Sequence, residues 1–164
     1  MALRQPEPSP YRLAPARPED LDEVARIERE SFLVPWKREF FATELVEPFR
    51  YARVLVRDDG GWPHIGGYLF AVCLYEEFHI NKIATDAALR NRGLGRELIE
   101  DALERARSTG ASHVTLEVRI SNVPARHFYC SYGFREAYRR KAYYQDGEDA
   151  LALALPLKPE NPIR

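Results

Sequence analysis

Residues 80–99 read INKIATDAALRNRGLGRELI, and this stretch decides the fold. It begins as an apolar strand that ends near Thr85, and apolar residues then recur at helical spacing at Leu94, Leu98, Ile99, Leu103 and Ala106. Between strand and helix lies a glycine-rich turn, RNRGLG at 90–95. Free N–H groups and the helix dipole attract anions at a helix start, and glycine lets an anion approach the backbone closely. Because Arg90, Arg92 and Arg96 add positive charge, the turn is predicted to bind a phosphate group.

Three kinds of glycine loop bind phosphate, and the sequence separates them. A P-loop needs Lys and then Ser or Thr after its last glycine, which Gly95 lacks. A dinucleotide-binding fingerprint needs a third glycine where this chain has Leu98. The remaining pattern, R-x-x-G-x-G from Arg90, resembles the loop for the acyl-coenzyme A pyrophosphate in the GCN5-related N-acetyltransferases (GNAT). A tight turn before a surface helix would also produce these six residues.

Length and composition are typical of one globular domain. The chain has 164 residues, 45% of them hydrophobic, and a formal net charge of −1. This charge gives no support to sequence-independent nucleic-acid binding. No apolar run reaches membrane-spanning length, and the N-terminal residues lack the apolar region of a signal peptide. The two cysteines and four histidines lack the spacing of metal ligands. We therefore expect no metal site and a cytoplasmic location.

Strand and helix patterns follow the order β-α-α-β-β-β-α-β-α-β-β. Strands are predicted at 11–14, 51–57, 66–75, 78–85, 113–118, 134–144 and 150–155. Helices are predicted from Pro18 through Phe32, at 37–46, from the glycine turn to about 110, and at 123–132. This order indicates an α/β fold with a mixed central sheet of about seven strands flanked by helices. Prolines cluster near both ends, so we expect tails at 1–10 and 157–164 around a single domain at 11–156.

A carboxylate occurs inside one predicted strand. In VTLEVR, residues 114–119, the apolar Val114, Leu116 and Val118 alternate with Glu117, which therefore points to the opposite face of the sheet. A carboxylate near the end of a central strand is costly unless it meets water, a partner or a cleft. Glu117 is thus either a solvated or ion-paired residue, with Arg119 two positions on, or a functional group.

Three further segments are together more specific than the glycine turn: LEVRISN at 116–122, FYCSYGF at 128–134 and YYQDGEDAL at 143–151. With Val34-Pro35-Trp36, they resemble the ribosomal-protein-alanine N-acetyltransferases (the RimI group) of the GNAT superfamily and the archaeal N-terminal acetyltransferases. The resemblance covers roughly residues 11–156 and implies the GNAT fold with acetyl-coenzyme A as co-substrate. The implied acceptor is a protein N-terminus, such as that of a ribosomal protein, and no nucleic-acid or membrane partner is expected.

The resemblance also implies individual roles. Glu117 would be the general base and Tyr129 the general acid. The backbone at Ile83, Ala84 and Thr85 would pair with the pantetheine arm, and Asn122 would contact the cofactor. The pyrophosphate would be held by Arg90, Asn91, Arg92, Gly93, Leu94, Gly95 and Arg96. The acceptor channel would be lined by Trp36, Tyr143 and Tyr144.

Other functions remain open on the same residues. The acceptor could be a protein lysine or a small amine, because only the acceptor cleft would differ. At neutral pH, however, a far larger fraction of α-amino groups than of lysines is unprotonated and able to attack a thioester. A non-catalytic acyl-coenzyme A-binding protein would need the glycine turn but neither Glu117 nor Tyr129. Glu76 and Glu77 are further candidates for a base or a substrate contact.

Overall fold

The computed structural model describes residues 9–157, which build a seven-stranded sheet in the order β1-β2-β3-β4-β5-β7-β6. The strands are β1 (Arg12–Pro15), β2 (Arg50–Val56), β3 (Ile65–Leu74), β4 (Glu77–Thr85), β5 (His113–Arg119), β6 (Arg135–Arg140) and β7 (Ala150–Pro156). The helices are α1 (Leu21–Ser31), α2 (Arg38–Val46), α3 (Leu94–Ser108) and α4 (Val123–Ser131), with 3₁₀ turns at Pro18–Asp20 and Ala87–Leu89. The predicted α/β fold and element order are confirmed.

Helices cover both faces of the sheet. On one face, α3 and α4 pack on the even-numbered residues of β5, with Leu98, Ile99 and Tyr129 among the buried side chains. On the other face, α1 and α2 pack on β2 and β3 through a second cluster that includes Ile27 and Phe41. The odd-numbered residues of β5 point to this second face, so Glu117 lies on the side of α1 and α2.

Two neighbouring strands at the middle of the sheet separate after a short contact. β4 and β5 run parallel and pair only at Glu77–His113, Phe78–Val114 and His79–Thr115. Beyond His79 the register between β3 and β4 shifts, so that Asn81 is an extra residue in β4. Such a bulge bends a strand and increases its twist. The last part of β4 therefore leaves β5 and opens a gap between the two strands.

Several predicted boundaries differ from the structure by up to four residues. The strand predicted to reach Tyr144 ends at Arg140, because Ala142 adopts a left-handed conformation and its N–H donates to the Asp149 carboxylate at 2.8 Å. The helix predicted to include Phe32 ends at Ser31, and Phe32 is extended. Of the predicted tails at 1–10 and 157–164, residues 1–8 and 158–164 lie outside the described residues. Among residues 9–157, no helix is long and apolar enough to cross a membrane.

Candidate active site

The glycine turn joins the free end of β4 to α3. Asn91 and Gly93 are both left-handed, with φ of 62° and 81°. An added Cβ at Gly93 would meet nothing within 4 Å, so the backbone conformation itself favours glycine. Gly93 precedes α3 without a side-chain cap, which leaves the first N–H groups of the helix to an outside acceptor. Because Arg90 and Arg92 are exposed beside it, the turn has the properties of an anion site.

A buried carboxylate fixes the start of this turn. Asp86 is 3% exposed and its two oxygens accept from the Arg26 guanidinium at 2.6 Å and from the Ala88 N–H at 2.8 Å. The first bond ties the turn to α1, and the second caps the 3₁₀ turn that leads to Arg90. The position of the turn relative to the sheet therefore depends on a residue outside the glycine motif.

The end of β4 has a partner on one side only. Ile83, Ala84 and Thr85 pair with β3, but β5 has already separated from them. Gly67 of β3 permits this close pairing, because an added Cβ there would lie 2.9 Å from the Ala84 carbonyl oxygen. The free edge of β4 can accept an extended ligand through backbone hydrogen bonds, as the prediction for the pantetheine arm requires.

Asn122, the other predicted cofactor residue, begins α4. Its side-chain oxygen accepts from the Ala125 N–H at 3.2 Å, so it caps the helix, while its amide nitrogen remains a donor. The same helix approaches the glycine turn, since an added Cβ at Gly95 would lie 3.7 Å from the Phe128 ring. The structure thus brings the start of α3 against the Phe128 side chain of α4.

Glu117 lies beside the gap, between His79 and Arg140. Its side chain is 13% exposed, and its oxygens lie 3.1 Å from His79 Nε2 and 3.6 Å from Arg140. Burial acts to raise the pKa of Glu117, but the hydrogen bond and charge of His79, with the charge of Arg140, hold it below the usual value. Of the two possibilities that the sequence left open, ion pairing is present, but Glu117 pairs with His79 and Arg140 and not with Arg119, which pairs with Asp146 and Glu148.

The strand next to Glu117 contributes only small side chains to its face of the sheet. β7 alternates alanine and leucine, and Glu117 pairs with Ala152, with Ala150 and Ala154 opposite Arg119 and Thr115. The leucines turn into the core of α3 and α4. On the side of β7, the Glu117 carboxylate therefore has no bulky neighbour on the face of α1 and α2.

Tyr129 lies on the other face of the sheet, in α4. It is 6% exposed, and its ring packs edge-on against Phe128 and Phe134 at centroid distances of 5.2 and 5.6 Å. Burial raises the pKa of its hydroxyl, which therefore stays protonated at neutral pH. Glu117 and Tyr129 thus flank β5 from opposite faces.

Trp36 belongs to the loop between α1 and α2. Its backbone N–H donates at 2.8 Å to Glu28. Glu28 is a fully buried carboxylate that also accepts from the Tyr68 hydroxyl and from Lys82 Nζ at 2.8 Å. Lys82 Nζ in turn lies 4.0 and 5.3 Å from the ring centroids of Phe32 and Trp36. This cluster of Glu28, Tyr68 and Lys82 ties the loop to β3 and β4.

Tyr143 and Tyr144 follow β6 and form an edge-to-face pair with centroids 5.2 Å apart. The Arg140 guanidinium lies 5.1 Å from the Tyr143 ring, and that of Arg119 lies 4.0 Å from the Tyr144 ring. Burial raises the pKa of Tyr144 to about 12. Since Arg140 contacts both Tyr143 and Glu117, the tyrosine pair borders the candidate base.

Two features were missed by sequence reasoning. His79 contacts Glu117 only because β4 and β5 run parallel, and residues 38 apart then become neighbours. Glu28 has the sequence context of a solvated helix residue but is buried with Lys82. Strand alternation places His79 and Glu77 on one face of β4, and this alternation is the sequence signal from which their shared position could have been found. In residues 9–157, no group of three or more His, Cys, Asp or Glu side chains could hold a metal ion.

Comparison with known proteins agrees with this geometry. The sequence model of the acetyltransferase (GNAT) family matches residues 21–134. A Bacillus subtilis protein described as a candidate ribosomal protein bS18-alanine N-acetyltransferase is 38% identical, over 84% of this chain and 89% of its own. An N-alpha-acetyltransferase of Sulfolobus acidocaldarius is 32% identical, over 90% and 93% of the two chains.

A solved structure extends the comparison to the fold. The crystal structure of the ribosomal-protein-S18-alanine N-acetyltransferase from Escherichia coli matches with a TM-score of 0.80 and 29% identity, over 94% of this chain and 99% of that one. The two chains therefore share their fold along nearly their whole length. The chain belongs to the acetyltransferase (GNAT) family, in the group of the ribosomal-protein-alanine N-acetyltransferases.

Proposed function

We propose that this protein transfers an acetyl group from acetyl-coenzyme A to the α-amino group of a protein N-terminus. One observation carries the proposal: a half-buried carboxylate, Glu117, lies beside the gap between β4 and β5, and the same β4 leads into a turn with the properties of an anion site. Relatives that act on protein N-termini match over most of the chain and support this choice of acceptor.

The residues at the gap fit the shape of an acyl-coenzyme A. The turn from Arg90 to Arg96 offers N–H groups and exposed guanidinium groups to a pyrophosphate. The free edge of Ile83–Thr85 offers backbone groups to the pantetheine arm, and Asn122 offers an amide donor. Acetyl-coenzyme A would supply the thioester, and the protein residues would fix its position in the gap.

Glu117 and Tyr129 would divide the proton transfers. An amine attacks only after it loses its proton, and the Glu117 carboxylate, ionised at neutral pH, would take that proton directly or through a water. The departing thiolate needs a proton, and the Tyr129 hydroxyl, which holds its own at neutral pH, would supply it. The amine would approach from the face of α1 and α2, and the thiol would leave toward α4.

The acceptor would be an extended N-terminus that begins with a small residue such as alanine. Trp36 on the α1–α2 loop and the Tyr143–Tyr144 pair after β6 are the proposed walls of its channel. The alanines of β7 beside Glu117 present no bulky side chain to the first residue. We further propose that residues 11–156 form one catalytic domain that acts in the cytoplasm, with a ribosomal protein as a candidate acceptor.

The proposal is tested by thiol release from acetyl-coenzyme A with two peptides. One peptide has a free N-terminal alanine and no lysine, and the other has a blocked N-terminus and an internal lysine. We expect release with the first peptide only, reduced at least about a hundredfold by Glu117→Gln. Release with the second peptide alone would identify a lysine acetyltransferase, and no release with either would point to a small amine, an unmet peptide-sequence preference or a binding role.

A further inference from the structure

The His79 imidazole lies between the candidate base, Glu117, and the polar side chains of Thr115 and Glu77. Its Nε2 atom lies 3.1 Å from Glu117, and its Nδ1 atom lies 2.6 Å from the Thr115 hydroxyl. Thr115 donates to the Glu77 carboxylate, which also lies 3.6 Å from His79 Nδ1. The three contacts form a continuous chain Glu117–His79–Thr115–Glu77 where β4 and β5 pair.

The directions of these hydrogen bonds indicate which nitrogen atoms of the His79 imidazole carry a proton. Because Thr115 uses its only proton toward Glu77, its oxygen can accept from His79 Nδ1–H. Nε2–H then donates to Glu117, so a doubly protonated ring satisfies both contacts. Glu77, whose side chain is 46% exposed, favours that charged form from the outer end.

We propose that His79 is a positioning residue that orients Glu117 and, through Thr115 and Glu77, sets the pH at which Glu117 acts as a base. The inference rests on the proposed function. A charged imidazole holds the Glu117 carboxylate in an ion pair and weakens it as a base, whereas a neutral imidazole keeps the orientation without the charge. The rise of activity with pH therefore includes the loss of a proton from this ring.

Apart from Glu117 and Glu77, few charged groups lie near the His79 imidazole. Arg140 lies 3.6 Å from Glu117 on the side away from His79's strand and opposes the charged form of the ring through that carboxylate. On α2, Glu44 is engaged by Arg50 at 2.9 Å and by the Asn81 amide at 3.4 Å. β3 contributes the uncharged Val72, the pairing partner of His79. Glu77 is therefore the carboxylate to remove when the charge on the ring is to be tested.

The test compares the pH profiles of kcat/KM for the parent protein and three variants, with the alanine peptide and saturating acetyl-coenzyme A. Glu77→Gln should shift the acid limb to lower pH by about half a unit, because the outer carboxylate no longer favours the charged ring. His79→Gln, whose amide can still donate to Glu117, should lower kcat about tenfold and remove the ring's contribution to that limb. Glu104→Gln is the control, since Glu104 is exposed on α3, on the other face of the sheet, and it should leave the profile unchanged.

A second readout does not depend on turnover. The imidazole signals of His79, identified by their disappearance in His79→Gln, should convert to the neutral form at lower pH in Glu77→Gln and in Glu117→Gln than in the parent. The inference would be overturned if neither the acid limb of kcat/KM nor the imidazole signals of His79 moved in Glu77→Gln. If Glu117→Gln kept full activity while its imidazole signals moved, the chain of contacts would stand and the base assignment under the proposed function would fall.

Discussion

Removal of the buried charge on Glu28 should loosen the loop that carries Trp36. Glu28 is fully buried and accepts from the Trp36 N–H, the Tyr68 hydroxyl and Lys82 Nζ. Glu28→Gln keeps the size of the side chain but leaves the Lys82 ammonium, whose side chain is 14% exposed, without its counter-ion. When one partner of a buried ion pair is removed, the cost is about 3–5 kcal/mol.

We therefore expect Glu28→Gln to lower the free energy of unfolding by about 3 kcal/mol, at the low end because Lys82 also lies over Phe32 and Trp36. For a chain of this length the corresponding fall in Tm is about 6–12 °C. Urea unfolding followed by tryptophan fluorescence measures the first quantity, and calorimetry the second. Because the loop borders the proposed acceptor channel, the KM of the peptide should rise while the KM of acetyl-coenzyme A stays constant.

A double variant separates charge burial from packing. In Glu28→Gln with Lys82→Met no unpaired charge remains, so we expect about 2 kcal/mol of the loss to be recovered relative to the sum of the single variants. A loss under about 1 kcal/mol for Glu28→Gln, or a double variant as unstable as that sum, would refute the reasoning. The loop would then be held by its apolar contacts alone.

Three other predictions concern the candidate site. Tyr129→Phe should lower kcat about a hundredfold when chemistry limits turnover and leave the dissociation constant of acetyl-coenzyme A unchanged, with Tyr132→Phe as the control; an unchanged kcat would contradict the acid role. Arg90→Ala combined with Arg92→Ala should weaken coenzyme A binding about tenfold in calorimetry and reduce its salt dependence, whereas Arg107→Ala at the far end of α3 should do neither. Because the folded pKa of Glu117 is depressed, its stabilising contribution is present above its usual value of 4.5 and is lost as pH falls through the folded pKa. Urea unfolding of Glu117→Gln should accordingly depend less on pH below 4.5 than that of the parent.

The parts of the site that follow from local pattern could be predicted from the sequence. The turn at 90–95 combines a strand end, two glycines and a helix start within a few residues. The alternation of VTLEVR places Glu117 on the face opposite Val114 and Leu116 without knowledge of any other strand. In both cases the deciding interactions lie within one element and its immediate neighbours.

The contacts of Glu117 could not be predicted in the same way. His79 reaches it through a parallel pairing of three residues, and Arg140 reaches it from β6, which is bonded to β7 and not to β5. β6 is exposed at every residue, so no alternation in its sequence shows where the strand ends. Its end depends instead on the contacts of Asp149 with Arg139 and Ala142. The burial of Glu28 likewise depends on Lys82, which the bulge at Asn81 turns toward α1.

The separation of β4 from β5 links these observations into one arrangement. A carboxylate on one face of a continuous sheet could not act on the same small group as a hydroxyl on the other face, because the backbone would lie between them. The bulge at Asn81 removes that barrier just beyond His79, while the short pairing before it keeps His79 against Glu117. On the proposed assignment, the extra residue in β4 has two effects: it frees the edge of Ile83–Thr85 for the donor, and it lets Glu117 and Tyr129 serve one reaction from opposite faces. Deletion of Asn81 should therefore restore the pairing of β4 with β5 and abolish both acetyl-coenzyme A binding and turnover, whereas Asn81→Ala should preserve both.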